Sequence, residues 1–124
     1  MNTTKKILVV EDDKPLARAL ELKLKSQGFE ASVVYNGEEG LSAMQTNKFD
    51  LLLIDIMMPK RDGFSVLAEL QKGNNTTPVF VMSNLGQDED IAKAKALGAT
   101  DYIIKSNMDI EDIVVKVKTF LENK

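Results

Sequence analysis

The chain contains no cysteine and no histidine. Disulfides, thiolate metal sites and cysteine nucleophiles are therefore excluded. So are histidine-based triads, the usual zinc ligands and self-phosphorylation on histidine. A basic stripe is missing as well, because the 16 Lys and Arg are scattered among 19 Asp and Glu, for a net charge of −3. Direct nucleic-acid binding and attachment to a membrane surface thus have little electrostatic support. Apolar runs such as Ile7–Val10 and Leu51–Ile54 fall far short of the ~20 residues that cross a bilayer. Met1–Lys6 is polar and lacks the apolar stretch of a signal peptide, so the expected location is cytoplasmic. No repeats, low-complexity tracts or Pro/Gly linkers interrupt the chain. With 44 % apolar residues over its 124 positions, it reads as one compact domain spanning residues 1–124.

What is present is alternation. Short apolar runs predict strands over Lys6–Glu11, Glu30–Val34, Leu51–Asp55, Pro78–Met82 and Asp101–Lys105. Runs such as Ile-Leu-Val-Val are continuous, which suits parallel strands buried on both faces. Between them lie helical patterns over Pro15–Gln27, Glu38–Thr46, Gly63–Lys72 and Asp88–Leu97. In the first, Leu16, Ala19, Leu20 and Leu24 point to one side, and Gly28 supplies a helix stop. A last helix carries Ile110, Ile113, Val114, Val117, Phe120 and Leu121 at helical spacing. The sum is an α/β, doubly wound (βα)5 chain of the flavodoxin-like type. Its five-stranded parallel sheet is expected in the order 2-1-3-4-5, with helices on both faces. That topology places a ligand site at the carboxyl ends of the strands.

Those ends carry chemistry. Strand one runs into Glu11-Asp12-Asp13, strand three ends in Asp55, strand four leads to Ser83 and strand five to Lys105. Acids on neighbouring strands repel unless a cation intervenes. Mg²⁺ is the natural choice, since it takes one or two carboxylates together with water and phosphate oxygens. The backbone carbonyl of Met57 offers a further ligand. Lys105 brings a fixed positive charge and Ser83 a hydroxyl, both suited to a phosphoryl anion. A carboxylate nucleophile, a metal and a lysine make a site that accepts a phosphoryl group as an aspartyl phosphate.

The stretches Val10-Glu11-Asp12-Asp13, Asp55-Ile56-Met57-Met58-Pro59-x-x-x-Gly63, Ser83 and Gly98-Ala99-x-Asp101-Tyr102-x-x-Lys105 closely resemble the receiver domains of two-component response regulators. The resemblance runs from Lys6 to Leu121. It implies that Asp55 is the acceptor from the phosphohistidine of a sensor histidine kinase or phosphotransfer protein. Glu11 and Asp12 would be the acidic pair, Ser83 the switch hydroxyl, Lys105 the phosphate contact and Tyr102 the aromatic that moves inward on activation. It further implies signalling through the helix 4–strand 5–helix 5 face to a downstream protein target or an output domain absent from this chain, and it is compatible with a phosphorylation-dependent dimer. Met57 and Leu85 occupy the positions that tune self-dephosphorylation, and the only chemistry implied is the domain's own phosphorylation and dephosphorylation.

Each residue also has an ordinary role to weigh. Asp12 or Asp13 could cap the first helix, Asp55 could be a turn acid, and Ser83 could cap the fourth helix. Lys105 could be solvated, Tyr102 could pack at a sheet edge, and Met57–Met58 could be local packing. Two other functions share the architecture. A nucleotide binder would need a Gly-rich loop after strand one, where Glu-Asp-Asp stands instead. A Mg²⁺-dependent phosphatase of the haloacid dehalogenase type would carry a second acid two residues after the nucleophile, where Met57 stands. One departure from the family is Ser106 after Lys105, where receivers usually have a cis-linked proline. A non-proline cis bond costs about 2.5–4 kcal/mol, so a trans peptide is expected there.

Overall fold

The structure, a computed structural model, describes residues 4–58, 62–84 and 86–123. The strands are β1 (Lys6–Val10), β2 (Glu30–Val34), β3 (Leu51–Asp55), β4 (Val79–Ser83) and β5 (Asp101–Ile104). They alternate with α1 (Lys14–Ser26), α2 (Gly37–Thr46), α3 (Gly63–Lys72), α4 (Asp88–Ala96) and α5 (Ile110–Glu122). All strand pairs are parallel and the order is β2-β1-β3-β4-β5, as the alternation predicts.

The continuous apolar runs are explained by burial on both faces. Ile7, Val9, Leu51, Leu53, Phe80 and Met82 belong to the core beneath α1 and α5. Their neighbours Leu8, Val10, Leu52, Ile54, Val79 and Val81 belong to the core on the α2–α3–α4 side. Each such side chain withdrawn from water contributes roughly 1.5–3 kcal/mol, so the sheet centre, rather than any polar contact, holds the strand ends in place.

Helix ends follow local sequence. Asp13 caps α1, its carboxylate accepting from the Leu16 N–H, and Gly28 follows the C-cap with φ of +93°. Within α1 it is Ala17 rather than Ala19 that is buried with Leu20 and Leu24. Their spacing of three and four residues keeps them on one stripe. Among the described residues, no helix is long and apolar enough to cross a membrane.

Gly63 positions the site directly. A Cβ there would stand 2.7 Å from the Asp55 carbonyl oxygen and from Ile56 Cα, while the Gly63 N–H donates to the Ile56 carbonyl at 2.8 Å. Both obstructing atoms are backbone and cannot rotate away. Gly63→Ala is therefore expected to destabilise the protein by about 1–3 kcal/mol, the usual cost of overpacking. Urea unfolding measures it, and an unchanged midpoint would contradict the close approach.

Candidate functional site

The register sets the site. Val10 pairs with Ile54, Asp55 with Met82 and Ser83 with Ile104. The residues at or just after these positions are Glu11, Asp55, Ser83 and Lys105, so they share one edge of the sheet. Glu11 and Ser83 are fully buried and Asp55 is 5 % exposed, whereas Asp12 faces solvent.

Lys105 binds the acids together. Its Nζ lies 2.7 Å from Asp55 Oδ2 and 2.6 Å from Glu11 Oε1. The other Asp55 oxygen accepts from the Met57 N–H at 3.1 Å, and Glu11 Oε2 accepts from the Asp13 N–H at 3.0 Å. These contacts fix both carboxylates without a strained backbone. The bond to Asp55 is a hydrogen bond, but the Glu11 contact is an ion pair outside hydrogen-bond geometry. Glu11 Oε1 is consequently a buried oxygen with no hydrogen bond.

The electrostatics match that geometry. Burial pushes the Glu11 carboxyl up to about 7, with the Asp55 charge adding to it, although Lys105 and the Asp13 N–H pull the other way. Burial lowers Lys105, but its bonds to Asp55 and Glu11 more than reverse this and hold its ammonium above the usual lysine range. One ammonium thus serves two carboxylates, with a third, Asp12, beside them, which leaves the cluster short of positive charge.

A hard cation fits this deficit. One oxygen each from Glu11, Asp12 and Asp55 can lie within 4.8 Å of the others, and all are hard oxygen donors of the type Mg²⁺ prefers. Glu11 Oε1, which meets only the Lys105 ammonium among the described residues, is a further acceptor for such an ion or its water.

Several ordinary roles can now be judged. Asp13 is the helix cap, which leaves Asp12 free for the site. Ser83 does not cap α4, because it ends β4 in full burial and Gln87 holds the cap position. Lys105 is not solvated, its side chain being 16 % exposed. Asp55 is no turn acid, since it is the last residue of a strand buried along its length. Met58 packs on the core, but Met57 is 59 % exposed, so packing does not account for it. Tyr102 packs against the core on the α3–α4 side and is hydrogen-bonded to Ser83. Its hydroxyl is raised, chiefly by burial, against which Ser83 acts. Leu85 and Pro59 lie outside the described residues.

Two features escaped sequence reasoning. The lysine was expected on strand five, but β5 stops at Ile104 and Lys105 opens a short 3-10 turn to Asn107. Its peptide bond to Ser106 is trans, as expected for a non-proline residue. The bridge from Lys105 to Glu11 was also missed. Nothing in the local sequence signals it, since the two residues follow β1 and β5, which are separated in the sheet by β3 and β4.

Comparison with known proteins agrees with this geometry. The response regulator receiver domain family matches residues 7–118. The response regulator ArlR of Staphylococcus saprophyticus is 33 % identical over 119 residues, covering 96 % of this chain and 53 % of that protein. The transcriptional regulatory protein PcoR of Escherichia coli is 34 % identical over 116 residues, covering 94 % of this chain and 51 % of its own length. The chain therefore spans about half the length of these relatives. The receiver domain of the Francisella response regulator 1452 superposes with a TM-score of 0.89 at 33 % identity, covering 97 % of this chain and 98 % of that one. Its sheet order, its acidic strand-end cluster and this match over nearly all its length agree, and the chain belongs to the response regulator receiver domain family.

Proposed function

We propose that Asp55 accepts a phosphoryl group from the phosphohistidine of a sensor histidine kinase or phosphotransfer protein, as part of a cytoplasmic switch whose receiver domain is formed by residues 1–124. The observation that carries this reading is the setting of Asp55, 5 % exposed at the sheet's carboxyl edge and bonded to Lys105 at 2.7 Å. A carboxylate oxygen of Asp55 attacks phosphorus, the histidine N–P bond breaks, and its electron pair leaves with the imidazole. Lys105 is placed to hold a developing phosphoryl oxygen, and Ser83 to donate its hydroxyl to another. Glu11, Asp12, Asp55 and the Met57 carbonyl would hold Mg²⁺, which when bound offsets negative charge on the carboxylates and the incoming phosphoryl group.

Tyr102 is joined to Ser83, so a phosphoryl group drawing on the Ser83 hydroxyl would compete for that bond. Through β5 this links the site to the helix 4–strand 5–helix 5 face, where a downstream target or output domain would read it. The relatives' additional length is consistent with an output domain outside this sequence.

Incubation with acetyl phosphate and Mg²⁺ tests the reading. Intact mass should rise by a single phosphoryl group, the gain should need Mg²⁺, and assorted phosphate esters should not be turned over. Sustained ester hydrolysis would point to a phosphatase instead.

The lifetime of the product is also open to test. Met57 is exposed beside the acceptor, and neither Met57 nor Leu85 has a side chain able to orient an attacking water. Self-dephosphorylation is expected to be slow. Met57→Asn, or a charged residue at Leu85, should change phosphate release after donor removal while leaving Mg²⁺ binding nearly intact. Release from wild type as fast as from the doubly polar variant would refute control by this pair.

A further inference from the structure

Helix α5 carries a valine that its own core does not use. Val115 is 57 % exposed although Val114 and Val117 beside it are buried. It lines a shallow groove of about 110 Å³ between α1 and α5, together with Val114, Lys23, Gln27, Glu111 and Lys118. Glu111 lies one turn before Val115 and Lys118 one turn after it, so an exposed apolar residue is flanked by opposite charges along the helix.

That arrangement is its own complement. In a two-fold contact the same patch meets itself, so that residue i touches j and j touches i. If two copies of α5 cross antiparallel at Val115, the turn before the valine on one copy faces the turn after it on the other. Glu111 of each copy then stands beside Lys118 of its mate, and the two valines cover each other.

Present partners leave room for this. Among the described residues Glu111 makes no ion pair. Among the described residues the one partner of Lys118 is a neutral acceptor, Gln27 Oε1 at 3.3 Å. Exchanging that long contact for a carboxylate replaces a neutral acceptor with an oppositely charged one and gives an ion pair. We propose that this chain self-associates through the outer face of α5, in a two-fold contact centred on Val115 and closed by reciprocal Glu111–Lys118 pairs. The contact is small and rim-exposed, so it is weak and salt-sensitive. It does not rest on phosphorylation of Asp55.

A charge-swap series read by sedimentation equilibrium over a concentration series at low salt tests it. Wild type is expected to show concentration-dependent association that high salt abolishes. Glu111→Lys and Lys118→Glu should each lose association, because each sets like charges against one another. An equimolar mixture of the two should regain it as a heterodimer, and the double variant Glu111→Lys/Lys118→Glu should regain it alone. Gln27→Ala, which releases Lys118 from its contact within the chain and trims an uncharged residue at the groove's edge, should associate at least as well as wild type. Circular dichroism of every variant checks that the fold is kept. Single variants that associate like wild type would overturn the proposal, as would a mixture that stays monomeric. A wild type monomeric at every concentration would do the same, leaving the groove to a different protein.

Discussion

Asp55→Asn protein should take up no phosphoryl group from acetyl phosphate and Mg²⁺, while wild type under the same conditions gains one. The loss is complete because an amide oxygen is a far weaker nucleophile than a carboxylate, and no neighbouring group replaces it. Glu11 is fully buried and tied to Lys105, and Asp12 lies in solvent. The variant should remain folded. Repulsion among the acids, taken alone, would make removal of the Asp55 charge raise metal-free stability. The Lys105 bond at 2.7 Å opposes that gain, since the substitution sheds an ion pair together with the repulsion. Attraction and repulsion over these distances are of similar size at protein dielectric, so the metal-free stability should change by no more than about 1 kcal/mol. A melting temperature well below wild type would contradict this balance, and residual labelling would place the acceptor elsewhere.

Replacing Lys105 with Met should have the largest effect on stability, and the effect should depend on pH. Removing one partner from a buried pair typically costs 3–5 kcal/mol. Lys105 is partly exposed at 16 %, so the lower end, about 3 kcal/mol, is expected at alkaline pH. Glu11 sets the pH dependence, because its folded pKa of about 7 stands above its ordinary 4.5. Between those values the folded state binds more protons than the unfolded chain, and wild-type stability must fall as pH rises from 4.5 through 7. Below that window Glu11 is neutral and does not need the ammonium. Without Lys105 its pKa rises further, so the penalty of Lys105→Met grows with pH and is small near pH 5 on the Glu11 side. Saturating Mg²⁺ should flatten the wild-type fall, because the ion favours the ionised carboxylate. Urea unfolding at several pH values, with and without Mg²⁺, measures all three slopes. A Lys105→Met penalty independent of pH would mean that Glu11 is not its partner.

The sheet was legible in the sequence because its strands are buried on both faces, which turns period-two alternation into unbroken apolar runs such as Leu51–Ile54. Once topology aligned the strand ends, Asp55, Ser83 and Lys105 had to share an edge, as they do. What remained hidden was everything that depends on distance across the sheet. The full burial of Glu11 is one such fact, and its contact with Lys105 is another. Local chemistry was ambiguous at Ser83, where a hydroxyl before a helix resembles a cap, and only the structure shows that the helix starts five residues later. In α1, Ala17 and Ala19 are equally apolar in composition, and only the stripe defined by Leu20 and Leu24 selects Ala17.

Chemical mapping of the phosphorylated residue tests the central claim most directly. An aspartyl phosphate is an acyl phosphate, which borohydride reduces to homoserine, whereas phosphoserine and phosphothreonine are unaffected. Protein phosphorylated with acetyl phosphate and Mg²⁺, reduced with borohydride, digested and sequenced by mass spectrometry should carry homoserine at position 55 and nowhere else. Homoserine at another acid, or a phosphoryl group that survives reduction on a hydroxyl such as Ser83, would contradict the assignment of Asp55 as the acceptor.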